Sequence, residues 1–130
     1  MANWINTLAD SKSIEAIFGK RIPPLDAVDL HEILVHRDGP RVVLRFELSA
    51  YPSPPPQKWQ SQGYNRAQVK LMLIGVTSVQ ISGWSTNVVA DIDLVRQSNA
   101  IRLTAKAAST NIQVVASTAM IESISGYRST

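Results

Sequence analysis

Apolar and polar residues alternate along most of this chain, in short blocks separated by turn residues. In Arg41–Leu48, Val42, Leu44, Phe46 and Leu48 fall on one face while Val43, Arg45 and Glu47 fall on the other. A period of two is what a half-buried strand requires, because successive side chains leave a pleated backbone on opposite sides. Ala67–Gly75 repeats it, with Ala67, Val69, Leu71 and Leu73 set against Gln68, Lys70 and Met72. Ala27–Arg37, Ser78–Gly83, Val88–Arg96, Ile101–Ala107, Asn111–Ser117 and Ala119–Ser125 read in the same way. About eight strands with turn signals at short intervals predict a mainly β (α+β) fold, an antiparallel sheet or sandwich.

Two hairpins can be drawn in register. Asp38-Gly39 is a strong turn signal, and a two-residue loop there sets His36 against Arg41, Val35 against Val42, Ile33 against Leu44 and His31 against Phe46. The wet face then pairs Glu32 with Arg45, a cross-strand ion pair worth roughly 0.2–1 kcal/mol. Pro40 opposes this turn, since a residue before proline favours extended backbone. Ser98-Asn99 closes the second hairpin, with Ile92 facing Ala105, Leu94 facing Leu103, and Asp91 facing Lys106 on the wet side.

One short helix precedes the strands. Trp4, Ile5 and Leu8 form an apolar patch, Ser11 or Ser13 can cap a helix through Ile14, Ile17 and Phe18, and Gly19 stops it. The expected organisation is a single domain over residues 1–130, with an N-terminal arm and short helix in 1–20 and an antiparallel β core in 26–125. A chain of 130 residues is large enough to bury its own core. The apolar fraction of 45% against 18% charged suits a globular protein rather than a disordered one.

With no cysteine, disulfides, thiolate metal sites and cysteine nucleophiles are excluded. The first dozen residues carry no secretory pattern, and the longest apolar run, Leu71–Val76, is too short to span a bilayer. No membrane partner is expected. The net charge of +3 comes from basic residues scattered singly, which gives no nucleic-acid footprint.

Enzymatic chemistry finds little to stand on. His31 and His36 superficially match a zinc-protease motif, but their gap is five residues rather than four, and on a strand they point to opposite faces. Asp91 and Asp93 share a strand face, as paired catalytic carboxylates could. Their face also carries Arg102, Thr104 and Lys106, the ordinary charge pattern of a solvated sheet. No metal, cofactor or catalytic residue is expected, and the protein reads as a non-enzyme.

The candidate binding feature is the excursion Tyr51–Tyr64 between two strands, because a loop this long in a small domain is usually functional or disordered. It places Tyr51, Lys58, Trp59 and Tyr64 among prolines that stiffen the backbone. Aromatic anchors on a stiff loop lose little entropy when a partner binds. The structural alternative is that Trp59 folds back to plug the end of the sheet. A carbohydrate- or peptide-binding β module using this loop is the alternative function.

Several local patterns recur in an order that resembles a known family. They are Trp4; Ile17-Phe18-Gly19; Pro24-Leu25-Asp26-Ala27; Gly39-Pro40 with Leu44-Arg45-Phe46; Pro55-Pro56-Gln57-Lys58-Trp59; Gly83-Trp84 with Ala90-Asp91-Ile92; and Ser125-Gly126-Tyr127. Taken together they resemble immunity protein family 50 of bacterial polymorphic toxin systems. The family pattern often has histidine and aspartate after the leucine equivalent to Leu25, whereas Asp26 follows it directly here, so no role tied to that histidine transfers. The resemblance implies a cytoplasmic, non-enzymatic protein that binds and neutralises a cognate toxin domain. A net positive chain is a poor mimic of nucleic acid, so a shape-and-aromatic interface is expected.

Overall fold

The alternating blocks fold as strands in the expected places. The computed structural model describes residues 4–129; of the arm expected over residues 1–20, residues 1–3 lie outside them. The strands are β1 (Val28–His36), β2 (Arg41–Glu47), β3 (Arg66–Ile74), β4 (Ser78–Ser82), β5 (Val89–Gln97), β6 (Ala100–Lys106), β7 (Asn111–Ala116) and β8 (Thr118–Tyr127). They form one open antiparallel sheet in the order β4-β7-β6-β5-β1-β2-β3-β8.

The sheet is nearly divided at its centre. β1 pairs with β5 at Val28–Ala90 and Asp29–Val89, with a backbone hydrogen bond from Leu30 to Val88 just beyond, whereas β2 with β3 and β5 with β6 pair along most of their lengths. Two four-stranded halves result, β1-β2-β3-β8 and β5-β6-β7-β4. Leu44, Phe46, Leu71 and Leu73 from one half share a single apolar cluster with Leu94, Leu103, Ile112 and Val114 from the other. The sheet therefore folds over on itself around a common core.

The chain crosses between halves at two corners. At the first, the backbone N–H groups of Gly75 and Val76 donate to the Pro40 carbonyl at 3.1 and 3.0 Å. At the second, Ser117 donates both its backbone N–H and its Oγ–H to the Ile74 carbonyl, each at 3.0 Å. These bonds tie the β1–β2 turn to one corner and the two corners to each other. Such bends let strands switch layers around one core.

The N-terminal segment packs against the folded sheet. A 3-10 turn, Trp4–Thr7, precedes helix α1 (Lys12–Phe18). Trp4 donates its indole N–H to the Pro23 carbonyl at 2.9 Å, as a buried indole requires. Ile14 is fully buried. Leu8 forms a bridge to Ala119, and the Ala9 N–H donates to the Ala119 carbonyl. Ser11 holds the N-cap position, but its hydroxyl bonds the Glu15 carboxylate while Asp10 accepts from the Lys12 N–H. Gly19, at φ 63°, ends the helix.

Most of the expected registers are present: His36–Arg41, Val35–Val42, Ile33–Leu44, Glu32–Arg45, Asp91–Lys106, Ile92–Ala105 and Leu94–Leu103. One differs. A bulge at His31 sets Leu30, not His31, against Phe46. Burying an imidazole in the apolar layer would strand its polar nitrogens; the extra residue instead puts Leu30 inside and His31 in solvent, 3.6 Å from the Asp29 carboxylate. The first turn occupies Arg37–Pro40, and only Gly39 within it takes a positive φ, 69°. Glycine has no Cβ, so it accepts that conformation even before a proline.

Candidate functional site

The long excursion folds back onto the sheet. Pro56 takes the N-cap position of a short helix, α2 (Gln57–Ser61), where a residue without an N–H costs nothing. This turn of helix was not expected from the sequence. Gly63, at φ 66°, releases the chain toward β3, and the Tyr64 N–H donates to the Trp59 carbonyl at 3.0 Å.

Trp59 is only 8% exposed and belongs to the apolar core. Its ring lies 5.9 Å from that of Tyr51 in a tilted pair. On another side is Gly126, where a Cβ would come within 2.7 Å of the indole and 2.8 Å of the Tyr64 ring. The Tyr51 hydroxyl donates to the Tyr64 carbonyl at 2.8 Å, closing the loop across its base. Asn65 and Ser129 exchange two hydrogen bonds, of 3.0 and 2.9 Å, just outside. The Tyr127 hydroxyl bonds Glu47.

The structure thus brings Tyr51, Trp59 and Tyr64 together, but as a plug over the ends of β3 and β8. Tyr51 and Tyr64 are half-buried, and Lys58 alone of the four points fully to solvent, with Gln57, Gln60, Ser61 and Gln62 around it. An exposed indole face, which a sugar-binding platform needs, is not available from Trp59 here.

The remaining sequence candidates lie on β1 and β5. His31 lies on the bulge of β1 and His36 at its far end, both exposed. Asp91 and Asp93 line a hollow of about 290 Å³ with Asp26, Thr104 and Lys106. Asp91 is engaged there: its Oδ1 accepts from the Ala27 N–H at 2.9 Å and fastens the approach to β1 onto β5.

A second surface was not foreseen. Val35, Val79 and Ile81 pair with the buried Val42, Val114 and Ile112, which places them on the core-facing side of their strands. Yet Val35 is 56% exposed and Ile81 44% exposed. They mark an open flank between the two halves. A hollow of about 390 Å³ runs there between Val35–Arg37, Pro40 and Arg41 on one wall and Val76–Val79 on the other. A further hollow, of about 670 Å³, lies between Asp29–His31 and Trp84–Asn87. Alternation assigned Ile33 and Val35 to the interior, and no local signal says that the neighbouring strand is missing.

Fold and surface together define a β-sheet scaffold that carries a polar loop over an aromatic plug and an apolar groove along one flank. The chain belongs to the Immunity protein 50 family, whose family model matches residues 10–127, as the resemblance implied. No curated protein and no solved structure matches it.

Proposed function

We propose that this chain is an immunity protein that binds a cognate bacterial toxin domain in the cytoplasm and neutralises it by contact, without catalysis. The observation that carries this reading is the family match over residues 10–127. A rigid sheet scaffold supports it, because contact surfaces on such a frame lose little entropy on binding.

The first contact region we assign to the partner is the excursion of Tyr51, Lys58, Trp59 and Tyr64. Its parts act differently from free aromatic anchors. Lys58 supplies an exposed charge at the rim, the half-buried Tyr51 and Tyr64 offer ring edges, and Trp59 supports them from below.

The test is co-expression with the toxin domain encoded beside this chain's gene, followed by titration calorimetry of the purified pair. Protection from toxicity and a saturable complex are expected; growth arrest despite expression of the folded chain, with no complex, overturns the reading. In the complex, Lys58→Glu should slow association by roughly tenfold while leaving folding unchanged, as a rim charge does. An unchanged association rate removes the loop from the interface.

A further inference from the structure

Among the described residues, no strand fills the flank between β1 and β4. We infer that this flank receives an extended segment of the protein partner, which adds as an antiparallel strand to the free edge of β4. The segment places a carboxylate beside Arg37 and Arg41. The partner is the toxin domain proposed above, so the inference rests on that reading and specifies how the domain is gripped.

The backbone supplies the first argument. β4 pairs with β7 on one side and, among the described residues, has no strand on the other, so alternate N–H and C=O groups along Ser78–Ser82 are left for a new partner. Exposed edges invite pairing, and folds guard them with charges, prolines, bulges or a covering segment. The opposite edge of the sheet is guarded in this way: β8 carries Glu122 and a register bulge, and Leu8 and Ala9 cover it at Ala119. β4, with the sequence Ser-Val-Gln-Ile-Ser, has no charge, no proline and no bulge.

Side chains supply the second. An added strand would set alternate side chains over Val35 and Ile81, which the fold leaves 56% and 44% exposed on the core-facing side, and over the outer part of the half-buried Val79. Trp84, 48% exposed, stands beyond the end of β4. Burial of this floor favours an occupant with alternating apolar residues.

Charge sets the direction. The β1–β2 turn brings Arg37 and Arg41 to the wall opposite Ser78. Arg37 also makes a fully solvent-exposed ion pair with Asp38 at 3.5 Å, which screening leaves weak, so two guanidinium groups against one carboxylate keep this rim net positive. The other end carries Asp29 beside His31. A strand antiparallel to β4, the more stable pairing, has its C-terminal end near Arg37. The fitting occupant is therefore extended, alternately apolar, acidic at its C-terminal end and basic at its N-terminal end.

The probe is the labelled peptide acetyl-Lys-Thr-Val-Thr-Val-Thr-Val-Asp-amide, titrated into the full-length chain by fluorescence anisotropy and by amide NMR. Saturable binding with shifts along Ser78–Ser82 is expected. Ile81→Lys, an inward charge on the edge, should weaken it by at least about tenfold. Arg37→Glu, at a side chain 95% exposed and so harmless to folding, should weaken it too. A peptide ending in lysine should then recover affinity for the Arg37→Glu chain. A peptide that does not saturate, or that binds both variants as well as the parent, overturns the inference. So does sedimentation showing that the free chain already pairs with itself through β4 and becomes monomeric on Ile81→Lys. The same variants are then tested on the toxin domain. Toxin binding indifferent to both substitutions overturns the groove and leaves the immunity reading standing. A peptide that binds as expected beside a toxin domain that never binds supports the groove and overturns the immunity reading.

Discussion

Ala27 carries a backbone φ of 52°, a left-handed conformation that its Cβ makes unfavourable. What holds it is Asp91, whose carboxylate accepts the Ala27 N–H at 2.9 Å. From the sequence, Asp91 is one half of a solvated pair with Lys106; the ladder does place them opposite each other, but the carboxylate also reaches across to Ala27. Three substitutions at these two positions separate the roles. Ala27→Gly removes the Cβ cost and should raise stability by about 0.5–1 kcal/mol. Asp91→Ala should lower it by about 1 kcal/mol through the lost hydrogen bond, whereas Asp91→Asn keeps an acceptor and should lose less. Urea titrations of the three variants check both statements, and equal losses for the alanine and asparagine variants would mean that the bond contributes nothing.

At the scale of elements, the loop and the last strand depend on one close approach. Gly126 of β8 gives the indole of Trp59 a surface without a side chain, and a methyl there would lie under 3 Å from atoms of both the Trp59 and Tyr64 rings. Gly126→Ala should therefore lift Trp59 out of its seat. A loss of roughly 1–3 kcal/mol is expected, the usual cost of overpacking, together with a red-shifted tryptophan emission as the ring meets water. Trp59→Ala should cost more, roughly 3–5 kcal/mol, because it empties a core position. A Gly126→Ala protein that melts like the parent would show that the loop yields freely. The eight strands were legible because period two is enforced residue by residue: Val42, Leu44 and Phe46 can only share a face if the chain is extended. What was not legible depends on contacts distant in sequence. The bulge at His31 answers to Phe46 across the ladder. α2 forms where Trp59 is drawn onto Gly126, far along the chain in the last strand. The groove exists because β1 leaves the neighbouring chain after Leu30, and no pattern within either strand encodes where their pairing ends.

At the scale of the molecule, the question is whether two half-sheets joined by so little ladder behave as one. Among the described residues, a short ladder joins them at the centre: the pairs Val28–Ala90 and Asp29–Val89, flanked by the Leu30 N–H to the Val88 carbonyl and the Ile92 N–H to the Leu25 carbonyl, each at 2.8 Å. The corner bonds to Pro40 and Ile74 add a few more hydrogen bonds, each worth about 1 kcal/mol. Burial contributes more. Phe46 and Leu71 of one half and Leu103 and Ile112 of the other are completely buried in one cluster, and each such side chain contributes about 1.5–3 kcal/mol only while the opposite half is in place. Neither half can keep its inner face dry alone, so the two should unfold together. Phe46→Ala and Leu103→Ala, one in each half, should each shift a single transition downward, by roughly 3–5 and 2–5 kcal/mol, with the denaturant slope unchanged. Amide exchange should report the same opening free energy for the central residues of β2 and β6, since the slowest amides exchange through global unfolding. Two resolved transitions, or exchange in β6 that stays slow when Phe46→Ala has loosened β2, would show that the halves are separate folding units.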